Sequence, residues 1–236
     1  ASRSGAPNLG VRLASNSSQS RSYATHQVTA LENKNHWEQV YTTKANDAVS
    51  WFQEHAKRSV ELITETKVPH SAAIIDVGSG ASHFIDDLIS QGFNKITALD
   101  LSATALASTK NRLGEKSSCV NFIAADITQI ELPRHAFDVW HDRAVFHFLT
   151  EPEQRRAYVK TVLNAVKPGG HVIMATFAED GPQKCSGLPV QRYAPHELHA
   201  EFGAPFELVH SEREIHSTPF GTEQKFIYCY CRKVGQ

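Results

Sequence analysis

One acid and two closely set glycines are the first residues in this chain whose types and spacing could do chemistry. The stretch Asp76-Val77-Gly78-Ser79-Gly80-Ala81-Ser82 follows the apolar run Ala73-Ile74-Ile75. Glycines at 78 and 80 permit a tight bend, and backbone without a Cβ can approach a ligand closely. The N–H groups of such a bend, and of a helix capped by Ser82, are expected to face something polar or anionic. More acids recur down the chain. Asp100 closes Lys95-Ile96-Thr97-Ala98-Leu99, Asp126 follows Ala124-Ala125, and His141-Asp142-Arg143 follows Phe137-Asp138-Val139-Trp140. A carboxylate at position 100 can accept two hydrogen bonds at once, which is what a ribose diol requires. His141 and Asp142 are the candidates for taking or orienting a proton.

These residues need elements to position them. Ile74, Ile75 and Val77 suit a strand covered on both faces of a parallel sheet. Further strands are predicted at 95–100, 120–126, 137–140 and 171–177, with helices at 55–66, 83–91, 102–113, 144–149, 152–166 and 194–202. The break Val166-Lys167-Pro168-Gly169-Gly170 ends one helix before the fifth strand. Pro195 and Glu197 suit the first turn of the last helix. This alternation implies a mostly parallel, doubly wound α/β sheet with helices on both faces. Phe206–Thr218 and Glu223–Arg232 read as two final strands joined by Pro219-Phe220-Gly221, the last one antiparallel. Residues 31–236 are expected to form a single domain.

The ordered series of Asp-x-Gly-x-Gly, the acid ending strand two, the Ala125-Asp126 pair and Lys167-Pro168-Gly169-Gly170 resembles the class I, seven-β-strand S-adenosylmethionine-dependent methyltransferases over about residues 36–233. The resemblance implies a Rossmann-like seven-stranded fold that binds S-adenosyl-L-methionine. It implies Asp100 at the ribose and Asp126 at the adenine amine, with Leu101 and Ile127 as apolar faces for the ring. Asp76, Gly78 and Gly80 would line the methionine end. His36-Trp37-Glu38-Gln39-Val40-Tyr41 is similar to a family helix that caps the cofactor, implicating Trp37 and Tyr41. Asp142-Arg143-Ala144 stands where the lysine methyltransferases of elongation factor 1A and citrate synthase carry Asp/Glu-Lys-Gly. By that likeness Asp142, with His141, is nearest the reaction and would hold the acceptor nitrogen.

Composition narrows the classes. The 236-residue chain is 41% hydrophobic and 21% charged with net charge −1, so it makes no global electrostatic case for nucleic acid or anionic membrane. Its thirteen histidines form no cluster with cysteines or acids, so no metal is expected. Cys119, Cys185, Cys229 and Cys231 read as buried free thiols in a reduced compartment. Residues 1–30 carry three arginines, seven serines and no acid, which reads either as a disordered leader or as a segment resembling a mitochondrial transit peptide; the latter predicts a mitochondrial location, with a cytoplasmic one as the alternative. Two acceptor classes stay open: a protein lysine, or a small thiol, amine or carboxylate. A non-catalytic cofactor-binding module is the reading from another class. The loop 179–193 is expected to act as an acceptor lid, and His147 to point into the site.

Overall fold

The computed structural model describes residues 31–235, so the leader at 1–30 lies outside the described residues. Seven strands form one sheet: β1 Ala73–Val77, β2 Lys95–Asp100, β3 Val120–Ala124, β4 Phe137–Arg143, β5 Val166–Phe177, β8 Phe206–Ser217 and β9 Glu223–Lys233. Their order is β3-β2-β1-β4-β5-β9-β8. The first five pair in parallel, while β9 runs antiparallel between β5 and β8. A separate two-residue pairing joins β6 Lys184–Cys185 to β7 Leu188–Pro189 inside the predicted lid loop.

Alternation along β1 explains why the sheet is covered on both faces. Ile74 packs into one apolar cluster with Ile85, Ile96, Val139 and Ile173, while Ile75 and Val77 join another with Trp140, Tyr158, Val172 and Ile227. Successive strand residues point to opposite faces, so consecutive apolar residues feed two cores. The helices are residues 31–43 (α1), Lys57–Glu65 (α2), Phe84–Ser90 (α3), Ala103–Leu113 (α4), Pro152–Ala165 (α5) and Pro195–Phe202 (α6). Pro152 and Pro195 open α5 and α6, where a missing N–H costs nothing. The expected helix at 144–149 is instead a short 3₁₀ turn, Phe146–Phe148.

The strand order places a topological switch between β1 and β4. β1 lies between β2 and β4, with Val77 opposite both Leu99 and Asp142. Doubly wound sheets open a crevice at the carboxyl ends of strands around such a switch. β4 also runs three residues further than expected, through His141, Asp142 and Arg143. That extension sends His141 and Asp142 to opposite faces of the sheet.

Asp142 pays a burial penalty on its face. It is fully buried, and one oxygen takes the Tyr158 phenol at 2.5 Å and the Phe146 N–H at 3.1 Å. The other oxygen takes the Val145 N–H at 2.9 Å. Trp140 Nε1 in turn donates to Tyr158 Oη at 2.9 Å. Burial pushes the Asp142 carboxyl up to about 7 despite these donors. A folded-state value above the unfolded one means that the folded chain holds the extra proton between those two values. This group's contribution to stability is therefore fully present below about 4, and it is lost as pH rises to about 7. Asp142→Asn should flatten part of that fall, read as melting temperature at pH 5 against pH 8. Wild-type dependence retained in the variant would place the titration elsewhere.

Candidate active site

A cavity of about 510 Å³ opens at the carboxyl ends of β1, β2, β3 and β4. Trp37, Tyr41, Gly78, Asp100, Leu101, Asp126 and Ile127 all line it, so most of the expected set is brought together. Its volume is that of a site for a nucleoside-sized ligand. Five acids, Glu32, Asp100, Asp126, Glu151 and Glu153, face it against one base, Arg143. A wall of that sign favours a cationic ligand.

The glycine turn reaches its shape through backbone pairing. Gly78 and Gly80 have φ of 71° and 53°, the left-handed region that a side chain disfavours. Gly78 N and Ser79 N donate to Leu99 O at 2.7 and 3.1 Å, and Gly80 N donates to Asp100 Oδ2 at 2.8 Å. The expectation of N–H groups facing a ligand is therefore corrected: β2 already uses these three. A Cβ at Gly78 would collide with the Val145 side chain, and one at Gly80 with the Tyr41 hydroxyl. The space denied to side chains at the turn is thus occupied by protein neighbours.

Asp100 and Asp126 end their strands differently. Asp100 is buried, and its other oxygen accepts Ser102 N–H at 2.8 Å. Burial pushes its carboxyl up to about 6, with the acids Asp76 and Glu38 adding to the rise. Each oxygen keeps a lone pair for a further donor. Asp126 forms a local turn, accepting from Thr128 N at 2.8 Å, Thr128 Oγ1 at 2.7 Å and Gln129 Nε2 at 3.0 Å.

Aromatic rings close the other side. Trp37 meets Trp51 at 5.6 Å, Phe148 at 5.1 Å and Tyr41 at 6.4 Å between centroids. Arg143 lies beside them over the Phe226 ring at 4.2 Å, donating to Tyr228 Oη at 3.2 Å. Sequence reasoning missed Phe148, Leu149, Glu151 and Gln154, which enter from the turn after β4 and the start of α5. Cys185, Leu188 and Pro189 of the β6–β7 hairpin also line the cavity, from within the loop expected to be a lid. Burial pushes the Cys185 thiol up to about 12, which makes it a poor nucleophile.

The expected catalytic pair lies elsewhere. Asp142 lines neither this cavity nor its smaller neighbour; its oxygens hold the turn that seats Val145 against Gly78. Contact with an acceptor nitrogen is corrected on that ground, since the carboxylate is sealed beneath the floor. His141 is buried on the opposite face, bonded through Nδ1 to Asp76 at 2.7 Å and through Nε2 to Ser59 Oγ at 2.9 Å. Asp76, His141 and Ser59 face only the smaller cavity of about 50 Å³, which also touches Gly78 and Tyr41. Gly80 lines neither cavity. His147 is also corrected: it is buried, with its ring 4.7 Å from Phe177, and burial pushes it down to about 3. Ala144 adopts φ of 74°, where the resembling motif has glycine.

The cysteines follow expectation in part. Cys185, Cys229 and Cys231 are buried free thiols, whereas Cys119 is half-exposed. Among the described residues no group of three His, Cys, Asp or Glu side chains could hold a metal ion, and no helix is long and apolar enough to cross a membrane.

The residues present fit S-adenosylmethionine by the chemistry of their donors. Acids face a ligand that is cationic at sulfur and at its amine, and the Ser79 hydroxyl, buried beside the turn and lining the smaller cavity, has no hydrogen-bond partner among the described residues. Comparison with known proteins agrees. Residues 74–170 match a family model described as a methyltransferase domain. The chain is 27% identical to EEF1A lysine methyltransferase 2 of Danio rerio, over 62% of this chain and 69% of that protein. It is 24% identical to the Homo sapiens protein of that name over 77% of each. The fold is shared with the Burkholderia thailandensis 1,6-didemethyltoxoflavin-N1-methyltransferase bound to S-adenosylhomocysteine, at TM-score 0.59 and 20% identity, covering 96% of this chain and 93% of that one. The domain match spans the glycine turn, both strand-end acids and the whole of β4: over those residues the chain carries a methyltransferase domain, and its fold is that of S-adenosylmethionine-dependent methyltransferases.

Proposed function

We propose that this enzyme methylates a lysine side chain of a protein, with the cofactor held in the acid-lined cavity. The observation that carries the reading is that cavity's sign: five acids and one base around an aromatic wall. The sign suits an ammonium acceptor as well as the cofactor, and relatives named as EEF1A lysine methyltransferases point the same way. S-adenosylmethionine supplies a methyl group on a sulfonium, already activated for displacement. Asp100 takes the ribose diol, and Asp126 faces the adenine amine, with Leu101 and Ile127 against the ring. Trp37, Tyr41, Trp51 and Phe148 exclude water and fix the direction of approach. Glu151 and Glu153 stand exposed where the cavity meets solvent and draw the lysine ammonium toward it.

Two measurements test this. Asp100→Ala should weaken S-adenosylhomocysteine binding about 10–100-fold by calorimetry, the loss of charge-assisted hydrogen bonds worth roughly 1.5–3 kcal/mol each, partly recovered by water. In the wild type, affinity should fall as pH drops below about 6, because a protonated Asp100 accepts fewer bonds. Unchanged affinity in a folded variant would remove Asp100 from the ribose. The acceptor is tested by transfer of a radiolabelled methyl group to a cell lysate separated into protein and small-molecule fractions. Label on protein, acid-stable and recovered as methyl-lysine, is expected. Label confined to small molecules would overturn the lysine assignment and leave the cofactor site standing.

A further inference from the structure

Helix α1 supplies Trp37 and Tyr41 to the cavity, yet it stands outside the seven-stranded sheet and contributes Val40 as its only buried residue among the described ones. Besides the ring contacts of Trp37 with Trp51 and Phe148 and of Tyr41 with Trp51, a polar contact fixes its position. Glu38, one residue past Trp37, reaches across to the first turn of α4. Its Oε1 accepts the Ala103 N–H at 2.7 Å, and its Oε2 accepts the Ser102 hydroxyl at 2.9 Å and the Thr104 N–H at 3.3 Å. Ala103 and Thr104 open α4, whose first N–H groups have no partner inside the helix. The α4 cap is thus shared: Ser102 Oγ accepts from Ala105 N at 3.1 Å, while a carboxylate from another helix satisfies the N–H groups next to it. These bonds are charge-assisted and lie at the positive end of the helix dipole, and they hold the Glu38 carboxyl below the usual range.

Ser102 links this clamp to the ribose acid. Its backbone N–H donates to Asp100 Oδ1 at 2.8 Å while its hydroxyl donates to Glu38. One residue therefore ties the floor of the cavity to its aromatic wall. We infer that Glu38 is a positioning residue for cofactor binding: it docks α1 on α4 so that Trp37 and Tyr41 stand over the cavity. It lines neither cavity and acts through those rings. The inference rests on this cavity being the cofactor site.

The test is calorimetric titration of the full chain with S-adenosylhomocysteine, paired with melting temperature. Glu38→Ala should weaken binding about tenfold or more with melting changed by only a few degrees, since one buried α1 side chain contributes little to the core. Glu38→Gln keeps an oxygen that accepts, so it should recover part of the loss. In a Trp37→Ala/Tyr41→Ala background, Glu38→Ala should add little, because its effect passes through the rings. Unchanged affinity in folded Glu38→Ala overturns the inference, as does a fully additive loss in the triple variant. A melting loss matching the loss of affinity, with no rescue by glutamine, makes Glu38 a general stabiliser and also overturns it. A wild-type chain that fails to bind the probe contradicts the cavity assignment itself, which the variant series cannot imitate.

Discussion

The carboxylate of Asp100 sits between two backbone N–H groups, Gly80 on one side and Ser102 on the other. Those groups belong to the turn after β1 and the start of α4, so one side chain at the end of β2 fixes both. Without it the glycine turn would keep its left-handed bends but lose an anchor across the sheet. The turn is also braced from behind. Arg112 of α4 donates to Ala81 O at 2.9 Å and Ser82 O at 2.6 Å while pairing with Asp86, and Thr109 Oγ1 donates to Gly80 O at 3.0 Å. The backbone N–H groups of Gly78, Ser79 and Gly80 are thus committed to the protein, and what the turn still offers a ligand is the Ser79 hydroxyl, shape and negative charge. A buried, raised carboxylate is costly by itself; here the donors that pay for its burial are the same ones that build the site.

The strands of the sheet were legible because each announces itself as a β-branched or apolar run followed by a turn residue. Asp100 and Asp126 were legible for the same reason: a strand's end in a doubly wound sheet is a place in space as well as in sequence. The final hairpin was legible from Pro219-Phe220-Gly221, and β9 does take its place between β5 and β8.

The reaction centre was less legible. Polar residues at 141–143 look like a loop, yet they continue β4 because each finds a partner: Asp76 and Ser59 for His141, Tyr158 for Asp142, Tyr228 for Arg143. Once they are in a strand, neighbouring side chains must part to opposite faces, and a cooperating His141–Asp142 pair is geometrically excluded. The resembling motif carries position in the chain but not this alternation. Val145 against Gly78, and Cys185 and Leu188 at the cavity wall, depend on contacts between segments far apart in sequence, for which no local pattern exists. Glu38 was read only as one member of an aromatic helix; its partners lie more than sixty residues away.

The central claim is that the cofactor lies between the aromatic face of α1 and the strand-end acids. Amide hydrogen exchange with and without S-adenosylhomocysteine tests it most directly. The account predicts slowed exchange confined to residues 31–43, 76–82, 98–104, 124–129, 143–154 and 185–189, the segments that meet at the cavity. Protection centred on the β8–β9 edge, or no protection at a saturating concentration of the ligand, would contradict it.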